Sequence, residues 1–150
     1  MISKHGLFQL SQKADYGLYL MTELAKNSER EPLSLKTIAE EHHLSFFFLQ
    51  KVAHELKKVG LIEANRGKLG GYVLAKDSQH ISIQEILEAL EGPIAFMHCL
   101  APEGVRSHGC VREGHCQMRG GLQFINQLLL KTLRTTTLHH LLHPSWQVQK

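Results

Sequence analysis

The sequence predicts a mainly α fold with one small β-hairpin, on three observations. Leu49, Val52, Ala53 and Leu56 recur at helical spacing, so one face of a helix there is apolar. Two short β-prone runs follow at residues 61–64 and 72–74, separated by Arg66-Gly67-Lys68-Leu69-Gly70-Gly71. Further on, Leu122, Phe124, Ile125, Leu128, Leu129, Leu130 and Leu133 mark a long helix that is apolar on more than one side. A helix followed directly by a hairpin with a glycine-rich, cationic tip is the second half of a winged helix-turn-helix. The predicted organisation is a winged helix-turn-helix domain over residues 8–92 and a cysteine-bearing loop over 93–121. A dimerisation helix with a short terminal helix follows over 122–142.

In chain order, residues 1–9 are expected to lie loose. Ser11 is placed to cap a helix running to about Asn27, with Ala14, Gly17, Leu18, Met21, Leu24 and Ala25 as its buried stripe. A polar stretch ending at Pro32 interrupts the helical pattern. Ser34 opens a short helix with Leu35, Ile38 and Ala39 inward, and residues 42–44 turn the chain into the next helix. Ser45 is that helix's N-cap, and Gly60 sits where its stop is expected. Segments 34–41 and 45–59 form the helix-turn-helix pair, and the hairpin follows. The pair Gly70-Gly71 permits positive φ and a close approach to another backbone. Residues 76–80 read as a linker. Ile83, Ile86, Leu87 and Leu90 mark an amphipathic helix, stopped by Gly92-Pro93.

The pattern breaks between Ile94 and Gly121. Five of the twelve glycines and all three cysteines lie there, with His98, His108 and His115. A loop this long in a small domain is either functional or disordered, and a bound metal or cluster would supply the missing crosslinks. The last apolar helix begins at Leu122 and runs to about Leu133. One side of it can pack on its own domain, and the other requires a partner chain. Thr136 or Thr137 caps a final short helix through Leu142, Pro144 ends it, and residues 145–150 are expected to lie loose.

Composition narrows the function. The net charge is only +3, and it is not divided between halves: residues 1–75 carry ten Lys/Arg and eight Asp/Glu, residues 76–150 seven and six. Between Phe46 and Lys76, however, six basic residues face two acidic ones. A local basic patch on a near-neutral chain suits a specific reader of double-stranded DNA better than a general polyanion binder. Gln50, Lys51, His54 and Lys58 form the exposed polar front of the helix at 45–59. Gln is able to read adenine bidentately, and Lys to meet guanine or phosphate. Arg66 and Lys68 have no structural need to be basic at a hairpin tip. No run of about 18 apolar residues exists, so no membrane span is expected. The opening MISKHGLFQL has no apolar signal core, so a cytoplasmic location is expected.

In such a reducing compartment an odd count of three cysteines points to ligands or sensors rather than disulfides. Ten residues separate Cys99 from Cys110, and five separate Cys110 from Cys116. That is not the paired C-x-x-C spacing of common zinc folds. Three thiolates on one loop are able to converge on an iron–sulfur cluster whose fourth ligand is a histidine or carboxylate. The surrounding HGCVREGHCQMRGG is too polar and glycine-rich to be core. His139, His140 and His143 are expected at the surface, and His42, His43 and His54 to touch phosphate at most. No Ser/His/Asp, nucleotide-cradling or paired-carboxylate pattern is present, so an enzyme is not expected.

These motifs together make the chain resemble the winged-helix family of iron–sulfur regulators that includes IscR and NsrR. The resemblance rests on LSQKADYGLYLMTELA, SFFFLQKVAHELKKVGLIEANRGKLGGYVLAK, ISIQEILEALEG, the three cysteines and the leucine-rich helix, from about Phe8 to Leu142. It implies a homodimer whose C-terminal helices cross, presenting two winged domains to a palindromic operator. It implies DNA contacts around Phe47, Phe48 and Gln50 and from Arg66. It also implies a cluster on Cys99, Cys110 and Cys116, with 2Fe–2S favoured over 4Fe–4S. Some members take a histidine three residues past the third cysteine, where Arg119 stands here. Others borrow an acidic residue from the partner's first helix, a position matched by Asp15. Asp15, His98, His108 and His115 are therefore the candidates for the fourth ligand. The spacing between the first two cysteines is longer than is usual in the family, and Gln50 replaces its customary glutamate. The expected function is a transcriptional regulator, a repressor, that senses cluster, redox or nitric-oxide status and controls cluster assembly or stress genes. The alternatives are a cluster-free thiol- or zinc-based regulator on the same fold, and a winged-helix protein-interaction module.

Overall fold

The computed structural model describes residues 10–27, 31–67, 70–106 and 110–144. The expectations for residues 1–9 and 145–150, and those resting on Lys68 and His108, lie outside them. Six α-helices and one hairpin follow in order among the described residues: α1 (Gln12–Lys26), α2 (Leu35–Glu41), α3 (Phe46–Lys58), β1 (Ile62–Asn65), β2 (Gly71–Leu74), α4 (Ile83–Glu91), α5 (Arg119–Thr135) and α6 (Leu138–Leu142). No described helix is long and apolar enough to cross a membrane.

The core is a wedge of α1, α3 and α4. Leu20, Met21, Leu49, Leu56 and Ile86 are fully enclosed in it. Burying each such leucine stabilises the fold by about 1.5–3 kcal/mol relative to exposing it. Close helix approach explains Gly17: a Cβ there would sit 2.1 Å from Leu90 Cδ1. Ser11 caps α1 by accepting from the Ala14 N–H, and its hydroxyl donates to Glu91 at the far end of α4. Lys13 pairs with Glu55 of α3 at 3.1 Å. The three helices are thus tied at their ends as well as through their apolar faces.

The hairpin is antiparallel, with Ile62 opposite Leu74 and Asn65 opposite Gly71. Leu33 adds an unforeseen third strand position: its N–H and C=O both bond Tyr72, at 3.0 and 2.9 Å. Gly71 permits this, because a Cβ there would lie 2.5 Å from the Leu33 carbonyl oxygen. The expectation of positive φ at Gly70-Gly71 is therefore corrected. Close approach explains this pair, and among the described residues of the turn it is Gly67 that takes a left-handed φ, +134°.

The presumed linker at 76–80 contains a 3-10 turn, Ser78–His80, capped by the Asp77 carboxylate. Within residues 94–121 a second 3-10 turn spans His98–Leu100, and α5 starts at Arg119 rather than at the expected Leu122. Thr137 caps α6 as expected, but His140 is no simple surface residue, since its Nδ1 accepts from the Thr137 N–H at 3.0 Å. Leu138 is fully buried, and its N–H bonds the Ile81 carbonyl, closing the domain behind the hairpin.

Helix α4 starts with a capping box. Ser82 accepts from the Glu85 N–H while Glu85 accepts from the Ser82 N–H, and Lys76 pairs with Glu85 at 2.7 Å. Burial pushes the Glu85 carboxyl up, but the Lys76 and Ser82 hydrogen bonds outweigh it and hold the group below its ordinary value of 4.5. A depressed folded pKa contributes stability above the unfolded value and loses it as pH falls through the folded one. Glu85→Ala is therefore expected to lower Tm at about pH 6 and to differ progressively less from wild type on acidification below about pH 4. Thermal melts at both pH values check this.

Candidate nucleic-acid interface and cysteine loop

Helix α3 is held at its N-terminus from outside. The Ser45 side chain accepts from the Phe48 N–H at 3.4 Å, and the Ser45 N–H donates to the Tyr16 hydroxyl of α1 at 3.1 Å. The turn into it is tight. His42 closes α2, His43 takes φ +54°, and the Leu44 N–H reaches back to the Ala39 carbonyl at 2.9 Å. His42 does not face outward as a phosphate contact would. It stacks edge-on against Tyr19 and lies 3.5 Å from the Glu23 carboxylate, so it braces the turn against α1.

The two faces of α3 separate cleanly. Leu49, Val52, Ala53 and Leu56 are wholly buried, whereas Phe47, Gln50, Lys51 and His54 form an exposed stripe on the opposite side. Gln50 and Lys51 make no side-chain hydrogen bond or ion pair among the described residues. Arg66 stands exposed beside the hairpin turn, likewise unpaired among them. The three consecutive phenylalanines divide their roles. Phe48 meets Tyr16 edge-on at 4.9 Å and is half-buried, so its ring is committed to the α1 contact. Phe46 packs on the core margin, and Phe47 is 78% exposed.

The cysteines are free thiols. Cys99 lies in the His98–Leu100 turn and is half-buried, Cys110 is exposed, and Cys116 is half-buried just ahead of α5. Among the described residues no three His, Cys, Asp or Glu side chains converge to hold a metal ion. Among the described residues, then, the predicted ligands do not form a three-ligand group. Asp15 is exposed in the first turn of α1, and His98 and His115 are also exposed. What orders the loop is an ion-pair network unforeseen from the sequence. Glu113, between Cys110 and Cys116, accepts from Arg106 at 2.9 Å and from Arg119 at 2.8 Å. Arg119 and then Arg106 hold its carboxyl below the usual glutamate range. Of its three members, only Glu113 and Arg119 lie within the charged segment REGHCQMR. The Phe96 N–H donates to Asn126 Oδ1 at 2.7 Å, which ties the front of the loop to α5.

No residue of α5 is buried. Leu133 packs at the core margin, but Phe124 is 61%, Ile125 43% and Leu128 48% exposed. Apolar side chains clustered at helical spacing on an open helix face are characteristic of an interaction surface.

Comparison with known proteins gives the same picture from outside. The family model Rrf2, described as an iron-dependent transcriptional regulator, matches residues 10–144. The Bacillus subtilis regulator CymR is 40% identical over 95 residues, covering 63% of this chain and 69% of its own. NsrR of Shouchella clausii is 32% identical over 133 residues, covering 89% and 87%. Among solved structures, CymR, the global cysteine regulator of B. subtilis, superposes with a TM-score of 0.76 at 31% identity, over 93% of this chain and 100% of that one. T. potens IscR gives a TM-score of 0.71 at 28% identity, over 97% and 93%. A winged helix with an exposed polar stripe on α3, matched along nearly its whole length by these regulators, places this chain in the Rrf2 family of DNA-binding transcriptional regulators.

Proposed function

We propose that the protein is a homodimeric repressor that reads a palindromic operator through α3 and the hairpin, and that the loop at 93–121 is its sensor. The observation that carries this is the α3 stripe. Phe47, Gln50 and Lys51 are exposed, and the hairpin that follows α3 carries an exposed Arg66. In this reading the N-terminal part of α3 enters the major groove, and Arg66, with Lys68, meets phosphate or the minor groove. Phe48 supports α3 from behind while the other side chains face the DNA. The test is duplex binding as a function of salt. Arg66→Ala is expected to weaken binding about tenfold at moderate salt and to reduce the salt slope by about one unit, across all sequences alike. An unchanged affinity and slope would remove the hairpin from the interface.

Cys99, Cys110 and Cys116 are the proposed ligands of an iron–sulfur cluster. As a donor set they fit: three thiols, none in a disulfide, on one segment. The fourth ligand would then come from Asp15 of a second copy or from His98, His108 or His115. A bound cluster supplies a centre reactive towards redox change and nitric oxide. The chain's own part is mechanical. The loop joins α4 to α5 and is tied to α5 through Asn126, so reshaping it would tilt the reading head against the dimer helix. Half-sites lie about one helical turn apart, so a small tilt costs both heads their register.

A second reading has its own support. Cys110 is exposed, and all three cysteines are free thiols. One similar structure is Staphylococcus aureus CymR in an oxidised form, with a TM-score of 0.67 at 30% identity over 94% of this chain. A cluster-free regulator using the cysteines as redox-active thiols, or as ligands of zinc, is the alternative on the same fold.

A further inference from the structure

Phe47 is the residue that the fold least explains. Large aromatic side chains are normally drawn into the core, and its neighbours obey that rule: Phe48 docks on Tyr16 and Phe46 on the core margin. Among the described residues the aromatic ring that Phe47 meets is that of Phe46, edge-on at 5.9 Å between ring centres, and Phe47 is 78% exposed. It stands on the first turn of α3, the part of a recognition helix that approaches base edges. It also begins the stripe that continues through Gln50, Lys51 and His54, with which it lines a shallow recess on the helix front. An aromatic ring offers no hydrogen bond to a base edge. The one apolar group that a base pair presents in the major groove is the C5-methyl of thymine.

We infer that Phe47 is a specificity-determining residue that packs on a thymine methyl in each half-site, beside an adenine read by Gln50. The inference rests on the proposed DNA-reading role of α3 and adds to it the identity of the base. It makes discrimination at that position an apolar contact. Loss of the methyl alone should therefore be felt, without any change in charge or pairing. Gln50, two hydrogen bonds from an adenine, would be indifferent to the same change.

The test separates this inference from the reading beneath it. A bound sequence is first selected from random duplexes with the intact protein. Each thymine of one half-site, with its symmetry mate, is then replaced by deoxyuridine, which removes only the methyl. At one thymine, wild type is expected to lose about tenfold to thirtyfold in affinity, the scale of two buried methyls, one per half-site. Phe47→Ala is expected to bind the thymine and deoxyuridine duplexes equally, with the salt slope unchanged. Its melting temperature should match wild type because the ring is exposed. A wild type indifferent to deoxyuridine everywhere, or a Phe47→Ala protein that keeps the full thymine preference, overturns the inference and leaves DNA reading by α3 intact. Failure to bind any duplex overturns both.

Discussion

Replacing Phe124 and Leu128 of α5 together with aspartate is expected to convert a dimer into a monomer and to lower operator affinity at least a hundredfold. The argument begins with solvent. Helix α5 is seventeen residues long and has no buried residue, yet it carries Phe124, Ile125 and Leu128 on its open side. An isolated helix of that length is marginal in water, and packing of an apolar face is what normally stabilises it. Contact with α4 covers one side and leaves the other. A second copy of α5 lying across the first would bury both open faces at once, and the two-fold symmetry of such a contact would match the proposed palindromic operator. Each reading head alone has a small interface. Joining two raises their combined affinity by about a hundredfold to ten-thousandfold through effective concentration. Two buried carboxylates facing two more across the dyad would be strongly unfavourable. Helix content should change little, because both substituted side chains are exposed within the chain itself. Size-exclusion chromatography with light scattering reads the first effect, and duplex titration the second. A variant that remains dimeric and binds its operator normally would move the dimer interface away from α5.

The same solvent argument explains which parts of this fold were legible beforehand. Helix α3 was readable because one rule governs it: every third or fourth residue from Leu49 to Leu56 meets the core, and Ser45 is a side chain able to cap it. The α4 boundaries were readable for the same reason, with Gly92 closing the helix at φ +83°. Contacts between distant segments were not. The Leu33–Tyr72 bridge depends on backbone groups, which carry no residue-specific signature, and only the crowding around Gly71 betrays it. The start of α5 was placed too late because Gly120 and Gly121 are poor helix formers. Arg119 precedes them, and its pairing with Glu113 anchors the first turn. In the candidate site, the polar stripe was legible because exposure follows from periodicity. The separate duties of Phe46, Phe47 and Phe48 were not, since three identical residues in a row differ only in where the helix turns them. The cysteine loop has no period, and its order rests on a charge network whose members come from both sides of Cys110 and Cys116.

Substituting Cys99, Cys110 and Cys116 together with alanine is expected to remove all iron and acid-labile sulfide from anaerobically purified protein, and with them the visible absorption. Thiolates are the ligands that iron–sulfur clusters require, and no other cysteine exists in the chain to replace them. The fold should survive the change. Cys110 is exposed, Cys99 and Cys116 are half-buried, and none belongs to the apolar core formed by α1, α3 and α4. Duplex binding by the variant should persist at one fixed affinity, insensitive to air or nitric oxide, whereas wild type should show two affinities according to its treatment. Asp15→Ala then addresses the fourth ligand. Asp15 lies on an exposed first turn, so its loss should leave folding intact while changing the spectrum of the bound cluster. Wild-type protein with zinc and no iron would make the cysteine site structural. Wild-type protein with neither metal, but with DNA affinity that follows thiol oxidation, would assign sensing to the thiols themselves, with Cys110 the first to react because it is the most open to solvent. Retention of iron and sulfide by the triple variant would exclude these cysteines as the ligands and would detach the loop from the switch altogether.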